Sequence, residues 1–198
     1  MYDLTIRGGR VVTGQRVVVA DIGIRHGRIA AIVEHPPAQQ PQPLQQPLLE
    51  PGSVDIDARG LVVAPGGVDS HCHIEQKTST GLTPTDDFYS ASVAALCGGT
   101  TTLVPFACQH RGARVLTVVD DYRAIAAKSA CDYALHIIVA DPAAPHAVSD
   151  LTQLFGSGFS SVKVYVSPFP SQRLKSPTHH LATSTQPAHC CHNCTDDL

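Results

Sequence analysis

Two histidines stand one residue apart, His71 and His73, in the stretch GGVDSHCHIE at positions 66–75. They follow a short apolar run, and alternate residues of a β-strand point to the same side. Both imidazoles would therefore converge at the carboxyl end of a strand, where α/β folds build their sites. Imidazole nitrogen binds zinc and similar divalent ions, so the pair predicts half of a metal site. The alternative is two polar loop histidines with no shared role.

Asp69 lies two residues before His71 and shares its face in an extended chain. A carboxylate in that position would orient a metal-binding imidazole through a hydrogen bond. The alternative is an ordinary aspartate at a strand end or turn, and the sequence leaves both interpretations open.

Lys163 is the second unusual residue, because it lies inside the apolar strand pattern SSVKVYV. Lysine is rarely buried without a partner. Either its stem runs along apolar surface while the amine stays in water, or the amine is desolvated, which favours its neutral form. A neutral amine can capture carbon dioxide as a carbamate, whose two oxygens can bridge two metal ions.

The elements that must position these residues begin near residue 61. Apolar runs typical of strands alternate there with segments of helical periodicity, in the order β-α-β-α-β-α-β. Nearly continuous apolar strands are typical of a parallel sheet covered on both faces. The predicted strands are LVVAPGGVDSH, TTTLVPFA, DYALHIIVA and FSSVKVYVS. In this series the histidine pair ends the first strand, and Lys163 lies at the end of the fourth.

Short β-runs rich in Val and Ile precede this series, with a break at His26-Gly27, and they predict a small β unit. An insertion at 36–51 holds six prolines and five glutamines, which predicts a disordered or polyproline-like segment. The predicted organisation is an N-terminal β segment over 1–64, an α/β segment over 65–166 and a disordered tail over 167–198.

Composition excludes several classes of function. The formal net charge is −3, and no basic run exceeds two residues, so nucleic acid is not an expected partner. No apolar run reaches the ~18 residues of a membrane span. The N-terminus MYDLTIRGGR lacks the layout of a signal peptide. We therefore expect a cytoplasmic protein.

Several stretches in combination resemble the dihydropyrimidinase and hydantoinase family of metal-dependent cyclic amidohydrolases. They are APGGVDSHCHIE, DDFYSASVAALCGGTTTLVPF, DYALHIIVADP and GFSSVKVYV, together with the opening strands DLTIRGGRVV and ADIGIRHGRIAAI. The resemblance covers residues 1 to about 166, apart from the Pro/Gln insertion. Allantoinase and dihydroorotase share the histidine pair and the lysine, so they remain alternative substrate classes.

The resemblance implies a partial (β/α)8 barrel of about four strands beside a small β-sandwich segment. It implies that His71 and His73 bind one of two divalent ions, zinc or similar, and that a carboxylated Lys163 bridges both. The implied reaction opens a cyclic amide ring with a metal-bound hydroxide, and a carboxylate beyond the first ion acts as proton shuttle. Family members commonly form homotetramers.

The departures from the family pattern are equally specific. Two later histidines, the catalytic aspartate and a substrate-binding tyrosine should follow Lys163, but the sequence has no credible match for them and reads SPFP where the tyrosine is expected. We therefore expect a truncated fragment that is catalytically inactive by itself. The alternative from another class is a non-catalytic scaffold protein of the same superfamily.

The tail offers a rival metal site in HCCHNC at 189–194, and His179 and His180 lie ten residues before it. Cysteine and histidine at such spacing can bind zinc. A structural zinc site needs two ligand pairs separated by a folded knuckle, and here one pair lacks a clean partner. Adventitious metal binding by the tail is the interpretation that we favour.

Overall fold

The computed structural model describes residues 1–36, 48–77 and 81–165, and its contacts divide the chain into two units between Gly66 and Gly67. Most of the Pro/Gln insertion predicted at 36–51 and all of the tail predicted at 167–198 lie outside the described residues. In the part of the chain that the structure describes, no helix is long and apolar enough to cross a membrane.

The first unit is a twisted β-sheet, as its Val- and Ile-rich runs predict. Its strands are β1 (Tyr2–Val12), β2 (Val17–Arg25), β3 (Arg28–Glu34), β4 (Gly52–Asp57) and β5 (Val62–Val63). The order is β3-β2-β1-β4, with β5 also paired to β1. The predicted break at His26-Gly27 is confirmed as the turn between β2 and β3, and both residues have positive φ (52° and 69°). Such a pair matches the twist of a two-residue hairpin, and glycine accepts that conformation without strain.

The second unit is a parallel sheet with helices between its strands, which confirms the predicted α/β class and partial barrel. The strands are β6 (Gly67–Cys72), β7 (Thr100–Cys108), β8 (Asp132–Tyr133), β9 (His136–Val139) and β10 (Val162–Val164). Their order in the described residues is β6-β7-β9-β10, with β8 also paired to β7, and every pairing is parallel. The helices are α1 (Phe88–Cys97), α2 (Val115–Ala126) and α3 (Ala147–Gly156).

The first predicted parallel strand is wrong in its extent. The sequence LVVAPGGVDSH predicts one run, but Val62–Val63 pairs with β1 in the first unit and the parallel series begins at Gly67. Pro65 lacks the N–H that a ladder needs, and the two glycines after it weaken a strand. The chain is therefore free to leave one sheet and begin another at this point. His71 consequently lies within β6, and His73 just beyond it.

Local signals explain where α1 begins and ends. Asp87 accepts a hydrogen bond from the backbone N–H of Ser90 (2.8 Å), and the Ser90 hydroxyl accepts one from the N–H of Asp87 (3.1 Å). This reciprocal capping box satisfies two donors at the start of the helix. Gly99 follows the helix with φ of 88°, a conformation that favours glycine. The Gly98-Gly99 pair therefore ends the helix.

The core of the second unit lies between the helices and the sheet and is largely aliphatic, as the scarcity of aromatic residues predicts. Helix α2 contributes Val115, Val119 and Ala126, which are at most 1% exposed. Strand β9 contributes Ile137 and Val139. Burial of each of these valine and isoleucine side chains stabilises the fold by roughly 1.5–3 kcal/mol before entropy is counted. Because side chains alternate along a strand, the residues between the buried ones point to the face of the sheet away from the helices.

One buried carboxylate links α3 to the start of α2. Asp150 is 1% exposed and accepts hydrogen bonds from Arg114 Nε (3.1 Å), Arg114 Nη2 (3.0 Å) and the backbone N–H of Leu116 (3.3 Å). The Arg114 hydrogen bonds, with smaller contributions from the Leu116 N–H and the Arg114 charge, hold the pKa of Asp150 below its ordinary value of 3.8. Its carboxylate form therefore stabilises the folded state.

Asp150→Asn is expected to lower the free energy of unfolding by about 1–2 kcal/mol at pH 7, because hydrogen bonds to a buried carboxylate lose their charge. The loss is not larger because Arg114 is half-exposed, so that water screens its interaction with Asp150. A lowered folded pKa means that this stabilisation is present above the unfolded value and is lost as pH falls through the folded one. The difference from wild type should therefore shrink below about pH 4 in urea denaturation. Exposed Asp120→Asn is the control, expected within about 0.5 kcal/mol of wild type. A difference that does not change with pH would contradict this assignment.

Candidate metal centre

The structure brings the two predicted histidines together on one side of the chain. The centroids of the His71 and His73 rings are 5.4 Å apart, with an interplanar angle of 68°. His71 is the fifth residue of β6, and His73 follows the last one. Two imidazoles in this arrangement can present nitrogens to a shared volume, which is what a histidine pair needs to bind one ion.

The tautomer of His73 follows from its partner. Its Nδ1 lies 2.6 Å from Oε1 of Gln76, a buried amide oxygen that can only accept, so Nδ1–H donates. A neutral ring that carries its proton on Nδ1 keeps the lone pair on Nε2, which is the form that binds metal. Gln76 therefore orients His73. The sequence pattern does not single out Gln76, because a polar residue in a loop carries no local signal.

His71 is held by its backbone and is biased towards the neutral state. Its backbone N–H donates to Oδ1 of Asp69 (3.0 Å), so this aspartate oxygen contacts the backbone of His71. Partial burial is the main cause that lowers the pKa of His71 from 6.5, and the nearby positive charges of Lys163, His73 and His136 lower it further. The neutral imidazole is the state that binds a metal ion.

Lys163 is the middle residue of β10 and pairs with Ile138 of β9. Its Nζ is buried, and it finds no hydrogen-bond partner within the described residues. The amine lies 4.7 Å from the centroid of the Phe106 ring and 5.2 Å from that of Tyr165. A buried amine without a hydrogen bond is costly, and the contacts with the two aromatic rings offset part of that cost.

Phe106 lies between the histidine pair and Lys163. The ring stacks on His73 at 5.0 Å, meets the edge of His71 at 4.8 Å and is 4% exposed. His136 lies on β9, the neighbour of β7 on the side opposite β6, and its ring centroid is 5.0 Å from that of Phe106. The sequence does not single out Phe106, because an aromatic residue in a buried strand is ordinary core. The tertiary structure makes it the common contact of all four polar side chains.

Phe106→Ala is expected to lower the free energy of unfolding of the metal-free chain by about 3 kcal/mol, because a large buried ring is replaced by a cavity. Chemical denaturation would measure the loss. Phe155→Ala, which removes a ring that is 48% exposed, is the control and should cost much less. Equal losses in the two variants would show that Phe106 does not support the surrounding side chains.

The donors that the sequence analysis predicts can be compared with what a divalent ion needs. Within residues 1–36, 48–77 and 81–165, no three His, Cys, Asp or Glu side chains are placed to hold an ion by themselves. His71, His73 and a carbamate on Lys163 would supply nitrogen and oxygen donors suited to zinc. The unpartnered Nζ and the oriented His73 ring fit that group. The rival cluster at 189–194 and the histidines at 179–180 lie outside the described residues.

Comparisons with known proteins identify the relatives of the chain. The D-hydantoinase of Rhizobium radiobacter is 38% identical over 165 residues, which cover 83% of this chain and 33% of that protein. Rat dihydropyrimidinase is 37% identical over 142 residues, covering 69% of this chain and 25% of that protein. A solved structure described as "Structure of D-hydantoinase" matches with a TM-score of 0.71 and 38% identity, over 82% of this chain and 32% of that one. No protein-family model matches the chain.

The chain spans about a third of the length of the D-hydantoinase that it matches. The match takes in both described units, since it covers 83% of the chain. The sheet order, the histidine pair on β6 and the buried lysine on β10 are thus set in the same fold as those relatives. By its sequence and by the fold of its described residues, the chain belongs to the hydantoinase and dihydropyrimidinase family and matches an N-terminal part of its members.

Proposed function

We propose that this chain carries the N-terminal half of the metal site of a hydrolase that opens cyclic amide rings of the dihydropyrimidine or hydantoin type. The observation that carries the proposal is the buried Nζ of Lys163, which has no hydrogen-bond partner within the described residues and faces the same Phe106 ring as the histidine pair. The names of the relatives at 37–38% identity support the substrate class.

Each residue has a distinct part in this proposal. His73 offers Nε2 to a divalent ion because its Nδ1–H donates a hydrogen bond to Oε1 of Gln76, and His71 offers a second imidazole. In its unprotonated form the Lys163 amine would form a bond from its lone pair to the carbon of carbon dioxide, while one C=O π pair moves to oxygen and the nitrogen releases one proton. The resulting carbamate would supply two oxygens that share one negative charge, where the structure has an unpartnered nitrogen. When bound, zinc or a similar ion polarises a carbonyl and makes water a stronger nucleophile.

The surroundings of these ligands contribute in a different way. Phe106 is nearly fully buried and covers one side of both imidazoles, so it keeps water from that side of the site. Charges and dipoles act more strongly on one another where water is excluded. Partial burial is also the largest cause of the lowered pKa of His71.

We further propose that the chain by itself does not open cyclic amides. His71, His73 and Lys163 account for one side of a metal pair, and the described residues hold no cluster of three ordinary ligands. The later histidines, the catalytic aspartate and the tyrosine of the family have no counterpart in the sequence after Lys163. These are groups on which the reaction of the family depends.

A chimera tests the proposal directly. Residues 1–165 of this chain replace the matched N-terminal part of the Rhizobium radiobacter D-hydantoinase, and ring opening of hydantoin and dihydrouracil is assayed with zinc and bicarbonate. We expect zinc-dependent turnover by the chimera and none by the 198-residue chain alone. A folded, zinc-loaded chimera without turnover would contradict the proposed site. Metal-dependent turnover by the chain alone would contradict the expectation that it is inactive.

A further inference from the structure

His136 is a polar ring inside the same group of side chains, and no role has yet been assigned to it. It is the first residue of β9 and pairs across the ladder with Phe106 of β7. Its ring lies 5.0 Å from that of Phe106 and is half-buried. Like Lys163, it interrupts an apolar strand, DYALHIIVA, with a group that needs hydrogen-bond partners.

Both ring nitrogens of His136 have partners, and the partners determine the tautomer. Nε2 lies 2.9 Å from the backbone carbonyl oxygen of Ser70, which can only accept, so Nε2–H donates. In the neutral ring Nδ1 then accepts a hydrogen bond from the hydroxyl of Ser161. One imidazole is therefore saturated by two fixed partners from different parts of the unit.

The two partners lie beside the two halves of the proposed donor set. Ser70 directly precedes His71 in β6, and Ser161 lies two residues before Lys163, at the entry to β10. Strand β7 separates β6 from β9 in the sheet order, so no ladder joins β6 to β9 in the described residues. The His136 side chain makes that connection across the face of β7.

The backbone near Ser161 strengthens the link on the other side. The N–H of Ile137, the residue after His136, donates to the carbonyl oxygen of Ser161 (3.3 Å). Side chain and backbone of the same short segment therefore both contact Ser161. A displacement of β6 relative to β10 would break at least one of these bonds.

We propose that His136 is a positioning residue that sets the distance between the histidine pair and Lys163 by joining β6 to the start of β10 through Ser70 and Ser161. The inference rests on the proposed function, because the geometry that it fixes is that of the proposed metal ligands. Hydrogen-bond partners of metal ligands typically change metal affinity by about 10–100-fold when removed. His136 acts one step further away, through the backbone, so we expect the lower end of that range.

Amide hydrogen exchange of the metal-free, full-length chain tests the positioning itself. His136→Leu keeps the bulk against Phe106 but removes both hydrogen bonds. We expect faster exchange confined to residues 67–73 and 161–164. Ser161→Ala should likewise give faster exchange in residues 161–164. Ser160→Ala, at an exposed neighbouring serine, should leave the exchange rates of both segments unchanged. Unchanged exchange in His136→Leu, or equally faster exchange across the whole second unit, would overturn the proposal.

A second substitution at His136 distinguishes the effect of its hydrogen bonds from the effect of its size. The Gln side chain offers an amide N–H and a carbonyl oxygen at a reach similar to the imidazole. His136→Gln is therefore expected to restore protection of residues 67–73, whereas His136→Leu does not. A Gln variant that exchanges like the Leu variant would also count against the proposed hydrogen bonds.

Zinc affinity then connects positioning to the metal site. It is measured by chelator competition in a background where Cys190, Cys191 and Cys194 are replaced by serine, so that the tail does not contribute thiolates. We expect about tenfold weaker binding for His136→Leu and wild-type binding for Ser160→Ala. Unchanged affinity despite locally faster exchange would overturn the role towards the ligands.

The same experiment distinguishes failure of the proposed function from failure of this inference. If His71→Ala does not weaken zinc binding in the serine background, the proposed metal site is wrong. The hydrogen-exchange comparison still decides whether His136 joins β6 to β10, since it uses metal-free protein. Zinc affinity therefore tests the proposed metal site, and hydrogen exchange independently tests the connection through His136.

Discussion

Lys163→Met is expected to make the metal-free chain more stable while it abolishes bicarbonate-dependent zinc binding. Burying a polar group without a hydrogen bond costs about 1–3 kcal/mol, and the cation–π contact with Phe106 offsets about 0.5–2 kcal/mol of this. Methionine fills the same space without that cost, so we expect a gain of about 1 kcal/mol in the free energy of unfolding. Urea denaturation without bicarbonate measures it.

The loss of function has a separate reason and a separate measurement. Methionine cannot form a carbamate, so two oxygen donors disappear and zinc affinity should fall by more than about tenfold. Added bicarbonate should no longer change the affinity. Lys77→Met, at an exposed lysine, is the matched control and should change neither quantity by much. A Lys163→Met chain that is clearly less stable than wild type would show that the lysine is structural.

Replacing His71 and His73 by alanine in the chimera is expected to lower kcat/KM for hydantoin about a thousandfold. A bound metal supplies several kcal/mol of transition-state stabilisation, and each 1.36 kcal/mol corresponds to a factor of ten. Loss of two imidazole ligands should remove most of that contribution. The zinc content of the purified variant, measured by mass spectrometry, should fall by one equivalent per chain.

A histidine elsewhere in the chain provides the control. His26 lies in the hairpin of the first unit with φ of 52°, and asparagine tolerates this conformation well. His26→Asn should leave zinc content and turnover unchanged. If the chimera without His71 and His73 keeps its zinc and its rate, the histidine pair is not the metal ligand and the proposed assignment is wrong.

Much of the fold was predictable because its signals are local. The break at His26-Gly27 depends on neighbours within a few residues. The alternation of apolar strands and helices from residue 61 likewise predicts a parallel sheet without any knowledge of contacts. The start of β6 was not predictable in this way, because the sheet that Val62–Val63 or Gly67–Cys72 joins depends on partner strands distant along the chain.

The sequence by itself determined which residues are chemically unusual. His71 and His73 stand out by their spacing at a strand end, and Lys163 stands out as a charge inside an apolar strand. The reason is that strand periodicity and the cost of burying an amine are properties of a short segment and do not depend on its neighbours in space.

Only the tertiary structure decided how these residues are supported. Phe106, Gln76 and His136 are ordinary in sequence, and their importance comes from contacts across strands that are distant along the chain. His136 meets the carbonyl of Ser70, 66 residues away, because the parallel strands bring β6, β7 and β9 side by side. Which side chain satisfies which polar group is set by strand order and register, and these follow from packing of the whole unit rather than from any local pattern.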